Sequence, residues 1–294
     1  RYRMSTLAFR ALSGSLGGEV SGLDLSNPLD DQTFAAIKSF WLERVVFVAR
    51  GLDDLTPEQL VAFTRRFGEP HVFHVSRYTM PGNPEVYVIS NVVENGKPLG
   101  ATGAGTWWHT DEMYLEKPAH CTLLYGKEVP PEGGDTIFAD MYAAYAALSE
   151  AMRDRIDRLQ VVVTRVKTYE SYYPHRPPLS EDEKAALPDV VHPLVRVHPE
   201  TGRKALFCGG GEAAWNIVGL PLFEGQALLR TLRDFATLPR FVYAHEWRPG
   251  DLLVWDNRCA LHAATLYDTE LHRRIMYRTT VHGEAPIAPA QAAA

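Results

Sequence analysis

The sequence predicts a mainly β fold of sandwich or jelly-roll type with flanking helices, and three observations support this. Short strand-like stretches recur along most of the chain with turn residues between them. Helix-like interruptions fall between strands, at 141–159 and 222–235, where they can cover an edge or a face of a sheet. Apolar residues make up 46% of the 294 residues and charged residues 22%, which is ordinary for a soluble chain with a substantial core. A β sandwich or barrel of this length is commonly one unit, so 1–294 is expected to be a single domain. Residues 1–4 are set aside as a cloning remnant, and 284–294, rich in Ala and Pro, as a loose tail.

Residues 18–25 alternate like a strand, and Asp30 or Asp31 can cap a helix running to about Glu43. Residues 45–49 form a short buried strand. Thr56 as N-cap and Pro57 at the first helical position open a second helix whose core face carries Leu60, Val61, Phe63 and Phe67, with Gly68 closing it. A strand at 85–90 is followed by 91–106, which holds four glycines and is expected to be a mobile active-site loop. Further strands are expected at 121–125, 136–139, 161–166, 190–197, 205–208, 241–247, 252–255 and 274–281. The polar, aromatic and proline-rich stretch 167–188 reads as an irregular excursion that can close over a substrate.

The formal charge is 30 minus 36, or −6, with the basic residues scattered, which argues against a nucleic-acid surface and for a small-molecule partner. Three distant cysteines, Cys121, Cys208 and Cys259, give neither a disulfide framework nor a zinc knuckle and point to a reducing cytoplasm. No apolar run reads as a membrane span, and the N-terminus lacks the plan of a secretory signal.

The chemistry concentrates in Trp107-Trp108-His109-Thr110-Asp111-Glu112. In an extended strand residues two apart share a face, so His109 and Asp111 can bind one metal while Trp108 points away. A third ligand must come from elsewhere. Two imidazoles and a carboxylate on one face of an octahedral ion leave the opposite face open, which suits Fe(II). The same ligand types also fit a zinc-dependent hydrolase, or a metal-binding barrel with no catalytic role. In Arg273-Arg274-Ile275-Met276-Tyr277-Arg278, alternation puts Arg274 and Arg278 on one face and Arg273 on the other, toward solvent.

Beyond His-x-Asp, the chain carries Arg66-Phe67-Gly68-Glu69, Gly133-Gly134-Asp135-Thr136, His192-Pro193-Leu194-Val195-Arg196-Val197-His198-Pro199, Trp255-Asp256-Asn257-Arg258, His262 and the arginine-rich segment, in that order. Together these resemble, almost end to end, the taurine and 2,4-dichlorophenoxyacetate dioxygenase (TauD/TfdA) family of Fe(II)- and 2-oxoglutarate-dependent enzymes.

The resemblance implies a double-stranded β-helix, a cupin-like jelly roll, with His109, Asp111 and His262 as metal ligands. It makes Arg274 the partner of the 2-oxoglutarate distal carboxylate and Thr136 its hydroxyl neighbour, a fork and a neutral donor that suit a carboxylate. Arg278 takes the place of the arginine that holds the substrate's acidic group, and the stretch with His71 and His74 falls near the family's substrate-binding histidine. Gly105 stands where the taurine enzymes carry the asparagine that reads the amine, a departure from that substrate. Residues 138–145 are closer to the aryloxyacetate branch. The Trp255-Asp256-Asn257-Arg258 segment is expected to be a tight turn orienting the approach to His262. The implied reaction uses O2 and converts 2-oxoglutarate to succinate and carbon dioxide while hydroxylating a small anionic substrate, in a dimer or tetramer.

Overall fold

In the computed structural model, which describes residues 7–72, 77–103, 105–174 and 176–292, the apolar runs of the sequence become the central strands of a sheet, and these are buried on both faces. Among the described residues this sheet has eight strands, in the order Ala8–Ala11, Gly18–Ser21, Val46–Ala49, Leu252–Asp256, Cys121–Glu128, Ile275–Thr280, Asn83–Ser90 and Thr79–Met80. Pairing is antiparallel except between Gly18–Ser21 and Val46–Ala49. Alternation sends Phe47, Ala49, Leu123, Leu252 and Val254 to one face, where they pack with Phe34, Ile37, Trp41, Leu60 and Phe63 of two helices. Val46, Val48, Leu124, Leu253 and Trp255 point to the other face and meet the second sheet. Double burial explains why these strands read as continuous apolar runs.

The second sheet runs Val242–His245, Thr136–Asp140, Ala260–Ala264, and His109 adds to its edge through a bridge to His262. Phe138 fills the space between the layers, its ring centroid 5.4 Å from Trp255. Helices Met141–Ala147 and Leu222–Ala236 contribute Tyr142, Ala144, Leu228, Leu229 and Leu232 to the same core. Two facing sheets flanked by helices make the expected jelly roll.

Local chemistry sets the helix boundaries. Asp30 accepts from the Thr33 amide at 2.8 Å and starts Asp31–Arg44, and Thr56 with Gln59 forms a capping box at Pro57–Thr64. That second helix ends at Thr64, and turns lead on to Gly68. The helix expected over 141–159 is two helices, because Ser149 leaves the first and caps Glu150–Ile156. The strand expected over 190–197 is also divided: Val190–Pro193 joins Gln160–Val163 and Ala214–Ile217, while Val195–Val197 pairs with Lys204–Leu206.

Residues 91–103 are pinned by the small hairpin Val93–Glu94 with Lys97–Pro98 and by Ala101 bonded to Val88 and Ser90. The stretch 167–188 contains helices Tyr169–Tyr172 and Glu181–Ala185. The tail expected to be loose is docked instead: the Val197 amide donates to Ile287 O at 2.8 Å, and Glu284 lies 3.5 Å from Arg196 and 3.9 Å from Arg258. Glu284 is thus the ion-pair partner of buried Arg196, so the tail supplies a carboxylate to a cation in the core. No helix among the described residues is long and apolar enough to cross a membrane.

Candidate active site

Two backbone hydrogen bonds, from His109 N to His262 O and back, both 2.9 Å, set the two histidines side by side, ring centroids 4.1 Å apart. The segment is extended only as far as this bridge. Asp111 already begins a turn rather than continuing a strand, a correction to the sequence expectation. The turn brings its carboxylate to the histidines, with Oδ1 3.7 Å from Nε2 of both His109 and His262. One ligand atom from each of the three residues lies within 4.8 Å of the others. Trp108 packs against the core between the sheets.

Each candidate ligand is oriented by a neighbour. His109 Nδ1 donates to Trp107 O at 2.8 Å, which fixes the tautomer that frees Nε2 for a metal. Thr122 Oγ1 donates to Asp111 Oδ2 at 2.6 Å, and Asn257 Nδ2 donates to that same hydroxyl at 2.9 Å. Asn257 Oδ1 in turn accepts from Trp255 Nε1 at 3.0 Å and from the Asp111 amide at 3.4 Å. The expected turn at 255–258 therefore needs correcting: Trp255 and Asp256 end a strand, the turn follows, and Trp255 lines the cavity under His262.

Burial works against ionising Asp111, but the neighbouring His262, Arg278 and His109 charges and the Thr122 hydrogen bond outweigh it and hold its pKa down at about 2. Burial, with His109 beside it, lowers His262 to about 3, and burial likewise lowers His109. At neutral pH the trio is one carboxylate and two neutral imidazoles, the protonation state a divalent metal requires. A second buried trio, His198, Asp256 and Cys259, is different. Arg258 grips both Asp256 oxygens at 2.8 Å, and His198 takes one at 2.9 Å, so that carboxylate is already saturated.

A cavity beside the histidines is lined by Ile89, Leu124, Thr136, Trp255, Arg274 and Arg278. Thr136 opens the strand next to that of His262, with Trp247 Nε1 donating to its Oγ1 at 3.0 Å, which leaves the hydroxyl proton free to point elsewhere. Arg274 is buried just before Ile275–Thr280; its Nη2 donates to Gly134 O at 3.3 Å, while its Nε has no partner among the described residues. A buried guanidinium so sparsely bonded suits an incoming carboxylate.

On the outer side a second cavity, of about 260 Å³, is lined by His109, Asp111, Glu112 and Arg278 together with Tyr87, Trp107, Tyr114, Arg165, Tyr173, Arg176 and Glu212. Arg278 faces both cavities and lies 3.8 Å from Asp111 Oδ1. Gly105, in the left-handed region at φ 74°, leaves the space beside His109 that a side chain would take. His71 stands behind this cavity: its Nδ1 is 2.6 Å from Glu112 Oε1 and its ring stacks on His282. His74 lies outside the described residues.

Arg165, Tyr173, Arg176 and Glu212 are the residues that motif reading missed. Tyr173 and Arg176 belong to the irregular stretch already expected to cover a substrate. Glu212 follows Gly209-Gly210-Gly211, a run that signals close approach: a side chain at 210 would collide with Trp108 O and with Glu212 Oε2.

The family described as "Taurine catabolism dioxygenase TauD, TfdA family" matches residues 8–280. The chain is 33% identical to the alpha-ketoglutarate-dependent 2,4-dichlorophenoxyacetate dioxygenase of Burkholderia sp. (strain RASC), covering 92% of this chain and 93% of that one. It is 35% identical to the (S)-phenoxypropionate/alpha-ketoglutarate-dioxygenase of Sphingobium herbicidovorans, covering 93% and 94%. Its fold resembles the crystal structure of AAD-2 in complex with Mn(II) and N-oxalylglycine, with a TM-score of 0.82, 34% identity, and 96% and 98% of the two chains covered.

Proposed function

Because the chain belongs to the TauD/TfdA family and is a 2-oxoglutarate-dependent non-haem iron dioxygenase, we propose that it hydroxylates a small anionic organic acid held by Arg278. His109, Asp111 and His262 hold the iron, and Arg274 with Thr136 holds the distal carboxylate of 2-oxoglutarate. Fe(II), 2-oxoglutarate and O2 together supply an oxidant able to hydroxylate an unactivated C–H bond, with succinate and carbon dioxide as co-products.

The protein's part is placement. Thr122 and Asn257 keep the Asp111 carboxylate aimed at the two histidines. Trp247 donates to the Thr136 hydroxyl and so leaves its proton for the co-substrate, and the buried Arg274 fork fixes the diacid from its far end. Arg278, at the junction of the two cavities, holds the substrate's acidic group so that a neighbouring carbon faces the metal. The aromatic walls Trp107, Tyr114 and Tyr173 exclude water and accept an aryl or alkyl body. If the attacked carbon bears a heteroatom, the hydroxylated product collapses and the bond breaks, which suits an aryloxyalkanoate, sulfonate or sulfate ester. The three free, buried thiols support a reducing, cytoplasmic setting.

The observation that carries this reading is that three ligand atoms converge beside a cavity lined by two of the ligand residues, His109 and His262, and by a buried, underbonded arginine. A zinc hydrolase would have no use for that arginine. Succinate release, screened with Fe(II) and 2-oxoglutarate across sulfonates, sulfate esters, aryloxyalkanoates and acylated amino acids, is expected to rise with at least one class above the uncoupled background. No stimulation by any acid contradicts the proposal.

A further inference from the structure

Two residues that line the outer cavity each carry a buried carboxylate oxygen with no hydrogen-bond partner among the described residues: Glu212 Oε2 and Glu112 Oε2. Glu212 is only 5% exposed. Glu112 adopts φ 55°, a conformation a residue with a side chain rarely holds, and His71 ties its other oxygen. A buried acceptor without a donor is disfavoured unless something supplies one.

The arginines lining the same cavity do not supply it. Arg165 donates Nη1 to Tyr173 OH at 2.7 Å, and its guanidinium lies over the rings of Tyr173 and Tyr114, at 4.3 and 5.0 Å. Arg176 lies over Tyr173 at 4.4 Å, and Arg278 over Tyr87 at 4.9 Å with Asp111 beyond it. No ion pair joins any of the three to Glu112 or Glu212 among the described residues. The cavity thus offers a cation for an acid and, separately, two acceptors for a donor.

We propose that Glu212, with Glu112 on the same wall, is a specificity-determining acceptor for an N–H or O–H donor that the substrate carries away from its acidic group. This rests on the reading of Arg278 as the acid's anchor. The substrate class narrows to acids with a second, donating polar group, an amine or a hydroxyl, on an aryl or alkyl body. Burial raises Glu212 to about 8, the nearby Arg165 and Arg233 charges only partly opposing it, so without a partner the group is largely protonated near pH 7, and a donor, an ammonium above all, draws it to the ionised form that accepts most strongly in this weakly hydrated setting.

The test is calorimetric binding to the anaerobic Fe(II)–2-oxoglutarate complex, using 4-(aminomethyl)phenoxyacetate, 4-(hydroxymethyl)phenoxyacetate and the donor-free 4-ethylphenoxyacetate. At least one of the donor-bearing acids should bind about tenfold or more tightly than the ethyl compound, and which one does identifies the donor as amine or hydroxyl. Glu212→Leu should narrow that ratio to under about threefold. If this variant does not fold, Glu212→Gln and Glu112→Gln read the same ratio for the amine. Ratios under about threefold for both donors in the unaltered protein, or a ratio unmoved by the substitutions, overturn the proposal. In the same series, 4-methylbenzylamine binding as tightly as 4-(aminomethyl)phenoxyacetate would remove Arg278 as anchor while leaving the donor reading standing.

Discussion

At the scale of single residues, the site divides its labour between groups that grip and groups that aim. Asp111 offers one oxygen toward the histidines and gives the other to Thr122, so its carboxylate cannot rotate away. His109→Ala or Asp111→Ala is expected to abolish iron-dependent succinate release with the far-ultraviolet circular dichroism unchanged, and normal turnover in either would remove that ligand. Arg274→Ala deletes a charge-assisted pair worth about 1.5–3 kcal/mol, so KM for 2-oxoglutarate should rise roughly 10- to 150-fold. An unaltered KM would reassign that arginine.

These residues were legible because each sits in a short motif whose spacing reflects its chemistry. Glu212, Arg165 and Tyr173 were not, because they reach the cavity through irregular chain whose path depends on tertiary contact. Only the three glycines before Glu212 hinted at it.

At the scale of elements, boundaries followed chemistry wherever a cap was present. Asp30, Thr56 and Ser149 all start helices, but the break at Ser149 was hidden inside a run of good helix formers. The strand expected at 190–197 divided because Pro193 cannot continue a ladder and the flanking halves serve different sheets. The C-terminal tail looked disordered by composition, yet Glu284 answers buried Arg196, a tertiary demand that no local pattern reveals.

Since the Asp30 cap lies far from the chemistry in the element order, Asp30→Ala should lower the unfolding free energy by removing the cap and leave KM for 2-oxoglutarate unchanged. A shift in that KM would mean that the Asp31–Arg44 helix positions the site as well as covering the sheet.

For the whole molecule, the jelly roll was legible because a doubly buried sheet writes continuous apolar strands, whereas strand order was not, since the pairs join distant segments. Folding also buries neutral histidines. Burial lowers His262 to about 3, with His109 adding to it, and lowers His120 to about 4, with Arg258 adding to it. In the unfolded chain both titrate near 6.5. Between those limits the unfolded state holds more of these two protons, so the histidines' contribution to stability is full above about pH 6.5 and falls as pH drops, approaching about 1.4 kcal/mol per pH unit for each, with Glu212, raised to about 8, opposing as one group against two. Urea unfolding of the metal-free protein should show a lower midpoint at pH 5 than at pH 7, and a flat profile would contradict the buried, neutral state.

The central claim is that one ferrous ion and one keto diacid share the cavity between His109, Asp111, His262 and Arg274. Anaerobic addition of Fe(II) and 2-oxoglutarate tests it most directly: a weak visible charge-transfer band should appear with the unaltered protein and be absent with zinc or in His109→Ala. No band with iron, together with hydrolysis restored by zinc alone, would contradict it.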